Sequence, residues 1–138
     1  MIKHIVYLAL GSNLGNRQEM LLRAYTEIEK LIGTIVRRSA LYESEPWGFE
    51  SDNSFLNSVI CCETSLSPHE VLEHTQAIER LLGRTQKSVD GHYHDRTIDI
   101  DILLYDDLTV NEPDLKIPHP LMRQRDFVMI PLSEIFNK

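Results

Sequence analysis

The chain has 138 residues, 42% of them hydrophobic, with 14 Lys and Arg against 21 Asp and Glu and a formal net charge of −7. This length and composition predict one globular domain over residues 1–138 with a real core, and argue against a disordered chain. The acidic balance argues against a sequence-independent nucleic-acid binder, which needs a basic face. No early apolar run is long enough for a membrane span or a secretory signal, so a cytoplasmic protein is expected.

Residues 5–10 form an apolar strand candidate that ends in the turn-rich Gly11-Ser12-Asn13-Leu14-Gly15-Asn16. Met20, Leu21, Ala24, Tyr25, Ile28, Leu31 and Ile32 then recur at helical spacing, and Gly33 is expected to close that helix. Residues 34–42 predict a second strand, 43–54 a loop, and 55–66 a third strand. Cys61 and Cys62 are adjacent in it, would face opposite sides, and are expected to be buried thiols without a disulfide. Ser67-Pro68-His69-Glu70 carries a cap, a first-turn proline and a capping box for a second helix that ends at Gly83. A polar loop of residues 84–95 follows, then a fourth strand at 96–104. The tail is expected to be mostly loop, with a short helix or strand around 127–135. The order β-α-β-β-α-β predicts a ferredoxin-like α+β fold: an antiparallel sheet with two helices on one face.

The stretch Arg96-Thr97-Ile98-Asp99-Ile100-Asp101-Ile102 carries the chemistry. On a strand the isoleucines would enter a core, while Asp99 and Asp101 share the other face, roughly 7 Å apart. Paired carboxylates on a rigid strand suit Mg²⁺, which takes oxygen ligands from one or two carboxylates and from substrate phosphates. A solvated strand face is the alternative. The basic residues Arg84, Lys87, Arg96, Arg123 and Arg125 are candidates for phosphate contact, since a guanidinium donates two hydrogen bonds at once. Gly11 to Arg17 precedes a helix and could greet an anion, or be an ordinary turn. His92 and His94, with His119 or Asp99, could instead form a zinc site. Phe55 and Phe127 could hold a flat heterocycle whose edge Asn57 reads, or could be core.

G-S-N-L-G-N-R, S-E-P-W-G followed by F-L-N, H-T-Q-A-I-E-R-L-L-G-R, D-R-T-I-D-I-D-I-L-L-Y and I-P-H-P-L-M-R-Q-R-D-F-V occur in this order. Together they resemble the 6-hydroxymethyl-7,8-dihydropterin pyrophosphokinase family of folate biosynthesis, over nearly the whole chain. The resemblance implies transfer of pyrophosphate from ATP to the pterin hydroxymethyl group, releasing AMP, on a ferredoxin-like fold. It implies two Mg²⁺ ions on Asp99 and Asp101. It implies a pterin site of Ser44, Glu45, Pro46, Trp47, Gly48, Phe55, Asn57 and Phe127. ATP contacts fall on Gln76, Glu79, Arg84, Arg96, Ile102, Lys116, His119 and Arg125, with Arg84 and Arg96 also in catalytic positions. The family pattern differs at Tyr93, where a tryptophan is common, at Lys116 and Pro120, and in a second arginine after Arg84. The loop 84–95 is expected to close over the substrates. A monomer is expected, and the partner the resemblance implies is the next folate-pathway enzyme. Two other readings remain open: a nucleotidyltransferase, which would release pyrophosphate, and a non-enzymatic ligand-binding module.

Overall fold

A computed structural model describes residues 3–45, 54–83 and 97–136. Strand β1 (His4–Ser12) leads into helix α1 (Arg17–Leu31), and strands β2 (Gly33–Arg38), β3 (Tyr42–Ser44) and β4 (Phe55–Thr64) follow. Helix α2 (Pro68–Leu81), strand β5 (Asp99–Tyr105), the short strands β6 (Val110–Glu112) and β7 (Leu115–Ile117), a 3₁₀ turn (Met122–Gln124) and helix α3 (Asp126–Ile135) complete the chain. The main sheet runs β2-β4-β1-β5, with β3 also on β4. Its pairings are all antiparallel, and β6 pairs with β7 in a separate hairpin. This is the expected α+β arrangement.

Alternation divides the sheet between two cores. Val6, Leu8 and Leu10 of β1, Ile60 and Cys62 of β4, and Ile98, Ile100 and Ile102 meet Leu21, Ala24 and Ile28 of α1 and Val71 and Ile78 of α2. The opposite face buries Tyr7, Val59, Cys61 and Leu103 against Val128, Leu132 and Ile135 of α3. A fully buried Leu or Ile side chain contributes roughly 1.5–3 kcal/mol, so both faces hold the sheet. Helix α3 is the helix of the two alternatives expected around 127–135, the hairpin and the 3₁₀ turn take up part of the expected loop before it, and the two-helix picture describes only one face. The run Asp126–Ile135 is apolar around most of its circumference and holds Pro131 inside the helix. Its buried residues Val128, Pro131, Leu132 and Ile135 lie at helical spacing, but Met129 and Ile130 between them are apolar too, so the stripe does not stand out in the sequence, and an interior proline normally argues against a helix. Tertiary contacts hold it: Arg37 Nε donates to the Ile135 carbonyl at 2.9 Å, and Glu134 Oε1 accepts from the Ala40 amide at 2.9 Å.

The ends of α2 follow the sequence. Ser67 and Glu70 form the reciprocal capping box, and Gly83 follows the helix at φ 109°, a conformation that suits glycine. Gly33 has a different job from the one expected. Helix α1 ends at Leu31 with Ile32 as its cap, and Gly33 opens β2. A Cβ there would strike the Glu63 backbone of β4, so close strand approach requires the glycine. The expected single strand over 34–42 is two strands, β2 and β3, with residues 39–41 between them; the β2–β4 register also shifts between Ile35 and Arg37.

Cys61 and Cys62 lie in opposite cores and carry free thiols. Burial pushes the Cys62 thiol up to about 12, and burial also raises that of Cys61. Since the thiolate is the reactive form, an aromatic disulfide reagent at pH 8 is expected to label neither cysteine in the native protein and both after denaturation. Rapid native labelling of either one would show that its core opens locally. Among the described residues, no helix is long and apolar enough to cross a membrane.

Candidate active site

Asp99 and Asp101 point away from the face that α1 and α2 cover, as alternation requires. Cross-strand pairing then sets two rows. Gly11 of β1 lies between Asn57 of β4 and Asp99 of β5, and Ala9 lies between Val59 and Asp101. With strands about 4.8 Å apart, Asn57 and Asp99 stand roughly 10 Å apart across a residue without a side chain. A Cβ at Gly11 would sit 3.1 Å from Asn57 Oδ1 and 3.3 Å from Phe55 Cδ1. The glycine thus leaves the space that these two side chains occupy.

The row Asn57, Gly11, Asp99, with Ala9 and Asp101 of the second row, forms the floor of a cavity of about 610 Å³ that also reaches Gln76 and Glu79 of α2, within the usual range for small-molecule sites. Ser44, Glu45, Phe55, Asn57 and Phe127 line one wall. Gln76, Glu79, Asp99, Asp101, Ile102, Lys116, His119 and Arg125 line the rest. Pro46, Trp47, Gly48, Arg84, Arg96, Lys87, His92, Tyr93 and His94 lie outside the described residues, as does the loop 84–95. Sequence reasoning did not single out Gly11, Thr75, Leu72 or the hairpin residues Pro113 and Asp114 as cavity lining. The Gly11 signal was legible only through its strand partners.

Phe55 and Phe127 are half-buried and both border the cavity. Phe127 also packs on the α3-side core, and the Arg125 guanidinium lies 5.6 Å from its ring centre. Asn57 is almost fully buried. Its Nδ2 donates to the Tyr42 carbonyl and to Ser44 Oγ, each at 2.8 Å. Leaving that amide unsatisfied would cost about 1–3 kcal/mol, so the two bonds fix which way the amide turns.

The other side of the cavity is built around charge. The buried Glu79 carboxylate accepts the Ile100 amide at 2.8 Å, tying α2 to the strand segment between the two aspartates. Arg125 is 8% exposed, and its Nη1 lies 3.8 Å from Asp101 Oδ2. His119 is fixed by its amide on the Leu103 carbonyl at 3.0 Å. Its Nδ1 accepts the Leu121 amide at 3.2 Å, which leaves the proton of the neutral ring on Nε2. Burial, and then the nearby Arg125 charge, push the His119 pKa down against the opposing pull of Asp99. It is therefore a neutral donor at pH 7. Lys116 lines the cavity, but its ammonium is tied within the hairpin to Asn111 Oδ1 at 2.9 Å and the Glu112 carbonyl at 3.2 Å.

The chain matches the family described as 7,8-dihydro-6-hydroxymethylpterin-pyrophosphokinase over residues 7–137. Relatives named 2-amino-4-hydroxy-6-hydroxymethyldihydropteridine pyrophosphokinase include one from Porphyromonas gingivalis, 54% identical over 132 residues, covering 95% of this chain and 90% of the relative. Another, from Aquifex aeolicus, is 44% identical over 130 residues, covering 94% of this chain and 79% of the relative. Among solved structures, Plasmodium falciparum HPPK-DHPS wild type superposes with a TM-score of 0.74 at 17% identity, over 96% of this chain and 41% of that one. An HPPK-DHPS in complex with substrates gives 0.77 at 14% identity, over 98% and 40%. The chain thus spans about two fifths of those structures, and at that identity they show the shared fold.

Proposed function

The chain belongs to the 7,8-dihydro-6-hydroxymethylpterin-pyrophosphokinase family, a family of enzymes, and from that premise we propose that it transfers pyrophosphate from ATP to 6-hydroxymethyl-7,8-dihydropterin in folate biosynthesis. The hydroxymethyl oxygen forms a bond to the β-phosphorus, the bond from that phosphorus to the α–β bridging oxygen breaks, and AMP leaves. The hydroxyl proton is released as the new ester forms. The observation that carries this reading is the row Asn57, Gly11, Asp99 on the floor of one cavity. A flat bicyclic acceptor held at Asn57 extends its one-carbon arm over Gly11 toward the acids.

In this reading Phe55 and Phe127 hold the two faces of the pterin, and Asn57, Ser44 and Glu45 meet its polar edge, with Pro46, Trp47 and Gly48 completing that side. Gln76, Glu79, Ile102 and the backbone at Lys116 border the nucleotide. Arg125 and neutral His119 donate to phosphate oxygens, with Arg84 and Arg96 as further donors. The acids suit two Mg²⁺ ions in their chemistry: both offer hard carboxylate oxygens from adjacent positions on one face. Bound there, magnesium would neutralise triphosphate charge. Phosphoryl-type transfer relies on such positioning and neutralisation more than on covalent catalysis. The proposal includes a single catalytic unit over residues 1–138 acting as a monomer. The buried free thiols suit a reducing, cytoplasmic setting. The likeness to chains named HPPK-DHPS supports association with the next pathway enzyme.

AMP formation from ATP and Mg²⁺ should depend strictly on the hydroxymethyl pterin. Release of pyrophosphate in place of AMP, or no nucleotide turnover at all, overturns the assignment. Gly11→Ala offers a finer check. The new methyl crowds Asn57 and Phe55, and overpacking of this kind costs roughly 1–3 kcal/mol. The pterin KM is expected to rise about fivefold or more with the ATP KM little changed, and equal KM values for wild type and variant would remove Gly11 from the acceptor path.

A further inference from the structure

The arginine that closes the G-S-N-L-G-N-R motif does not line the cavity. Arg17 is the first residue of α1, where the helix dipole disfavours a cation. Its Nη1 donates to Glu43 Oε2 at 2.9 Å, to the Ser54 carbonyl at 3.1 Å and to Ser54 Oγ at 3.2 Å. Ser54 Oγ donates in turn to the same Glu43 oxygen at 3.1 Å. One guanidinium thus joins two segments that precede cavity residues. Glu43 stands before Ser44 and Ser54 before Phe55, and Ser44 pairs with Phe55 across the β3–β4 ladder.

We propose that Arg17 is a positioning residue for the acceptor wall: it holds β3 in register on β4, and so aligns Ser44, Phe55 and Asn57 for the pterin without touching the nucleotide side. This rests on the functional reading above. Strand β3 is three residues long and, among the described residues, pairs with β4 alone, so few ladder bonds hold its register. A slip of one residue would turn Ser44 to the other face and remove the oxygen that accepts from Asn57 Nδ2. An exposed ion pair adds little to global stability, so the arrangement acts locally. The Arg17 bond, followed by that from Ser54, holds the Glu43 carboxyl below its ordinary range, as expected for a carboxylate that accepts from both. Helix α1 provides a firm base, since Leu21, Ala24 and Ile28 anchor it in the core.

The test compares full-length wild type with Arg17→Ala, Arg17→Lys and Glu43→Gln. AMP formation is measured while each substrate is varied, and backbone hydrogen exchange is measured on the free proteins. Arg17→Ala should raise the pterin KM at least fivefold with the ATP KM within twofold. Exchange should speed up at residues 42–45 and 54–57 and stay unchanged at 99–105. Arg17→Lys should recover part of the loss because an ammonium still pairs with Glu43, and Glu43→Gln should shift the same pterin KM. A pterin KM within twofold of wild type, or a parallel rise in both KM values, overturns the proposal. Unchanged exchange at 42–45 and 54–57 does so as well. A wild type that makes no AMP defeats the functional reading instead, and the exchange data still decide whether Arg17 holds the strand.

Discussion

Asp99→Asn and Asp101→Asn are each expected to lower turnover by a hundredfold or more while leaving the fold intact. Both side chains face the cavity from one strand, and each substitution removes one negative oxygen donor from the proposed Mg²⁺ site. Loss of charge stabilisation in a transition state of this kind costs on the order of 3 kcal/mol, about 150-fold in rate. The strand itself should survive, because Ile98, Ile100 and Ile102 bury its other face and the Glu79 carboxylate still holds the Ile100 amide. For Asp99→Asn, loss of a neighbouring like charge should leave the thermal midpoint of the ligand-free protein unchanged or raise it, whereas Asp101→Asn also removes a carboxylate 3.8 Å from the mostly buried Arg125 and should lower the midpoint without unfolding the protein. Rates of AMP formation at saturating Mg²⁺, with thermal unfolding as control, check both parts. Near-normal turnover in either variant would remove that acid from the metal site.

Phe127→Ala is expected to weaken pterin binding strongly and ATP binding far less. One aromatic face against a flat heterocycle contributes roughly 1–3 kcal/mol, which converts to about 5- to 150-fold in affinity. The substitution has a second consequence, since the Arg125 guanidinium lies 5.6 Å from the Phe127 ring centre and 3.8 Å from Asp101 Oδ2 by its Nη1. Phe127→Leu separates stacking from packing: it keeps apolar contact with the α3-side core and removes the ring, so the Arg125 contact is lost in both variants. Calorimetry with each ligand should give a selective pterin loss in both variants, smaller in the leucine. Equal losses for pterin and nucleotide would mean that Phe127 is core.

Wherever chemistry acts within a few residues, the sequence by itself determined the outcome. Strict alternation at residues 98–102 separates isoleucines from aspartates whatever the sheet pairs with. The capping box at Ser67 and Glu70 starts α2, because its donors and acceptors lie within one helical turn. Adjacent Cys61 and Cys62 enter opposite cores for the same geometric reason. The residues of the described segments that the resemblance assigned to a ligand all border the cavity, although Gly11, Leu72, Thr75, Pro113 and Asp114 line it as well.

Tertiary structure decided what depends on partners far along the chain. In residues 126–135 the stripe Val128, Pro131, Leu132 and Ile135 is masked by the apolar residues between them and includes a proline, so the sheet face beneath it and the contacts with Arg37 and Ala40 select α3. Gly33 looked like a helix terminator, but the backbone of Glu63 is what leaves room for no side chain there. The hydrogen bonds of the Lys116 ammonium to Asn111 and Glu112 exist only because β6 and β7 fold into a hairpin. Gly11 became the gap between Asn57 and Asp99 only when β4 and β5 paired on either side of β1. Local propensity and alternation act over a few residues, whereas strand register and side-chain partners are set by burial across the whole sheet.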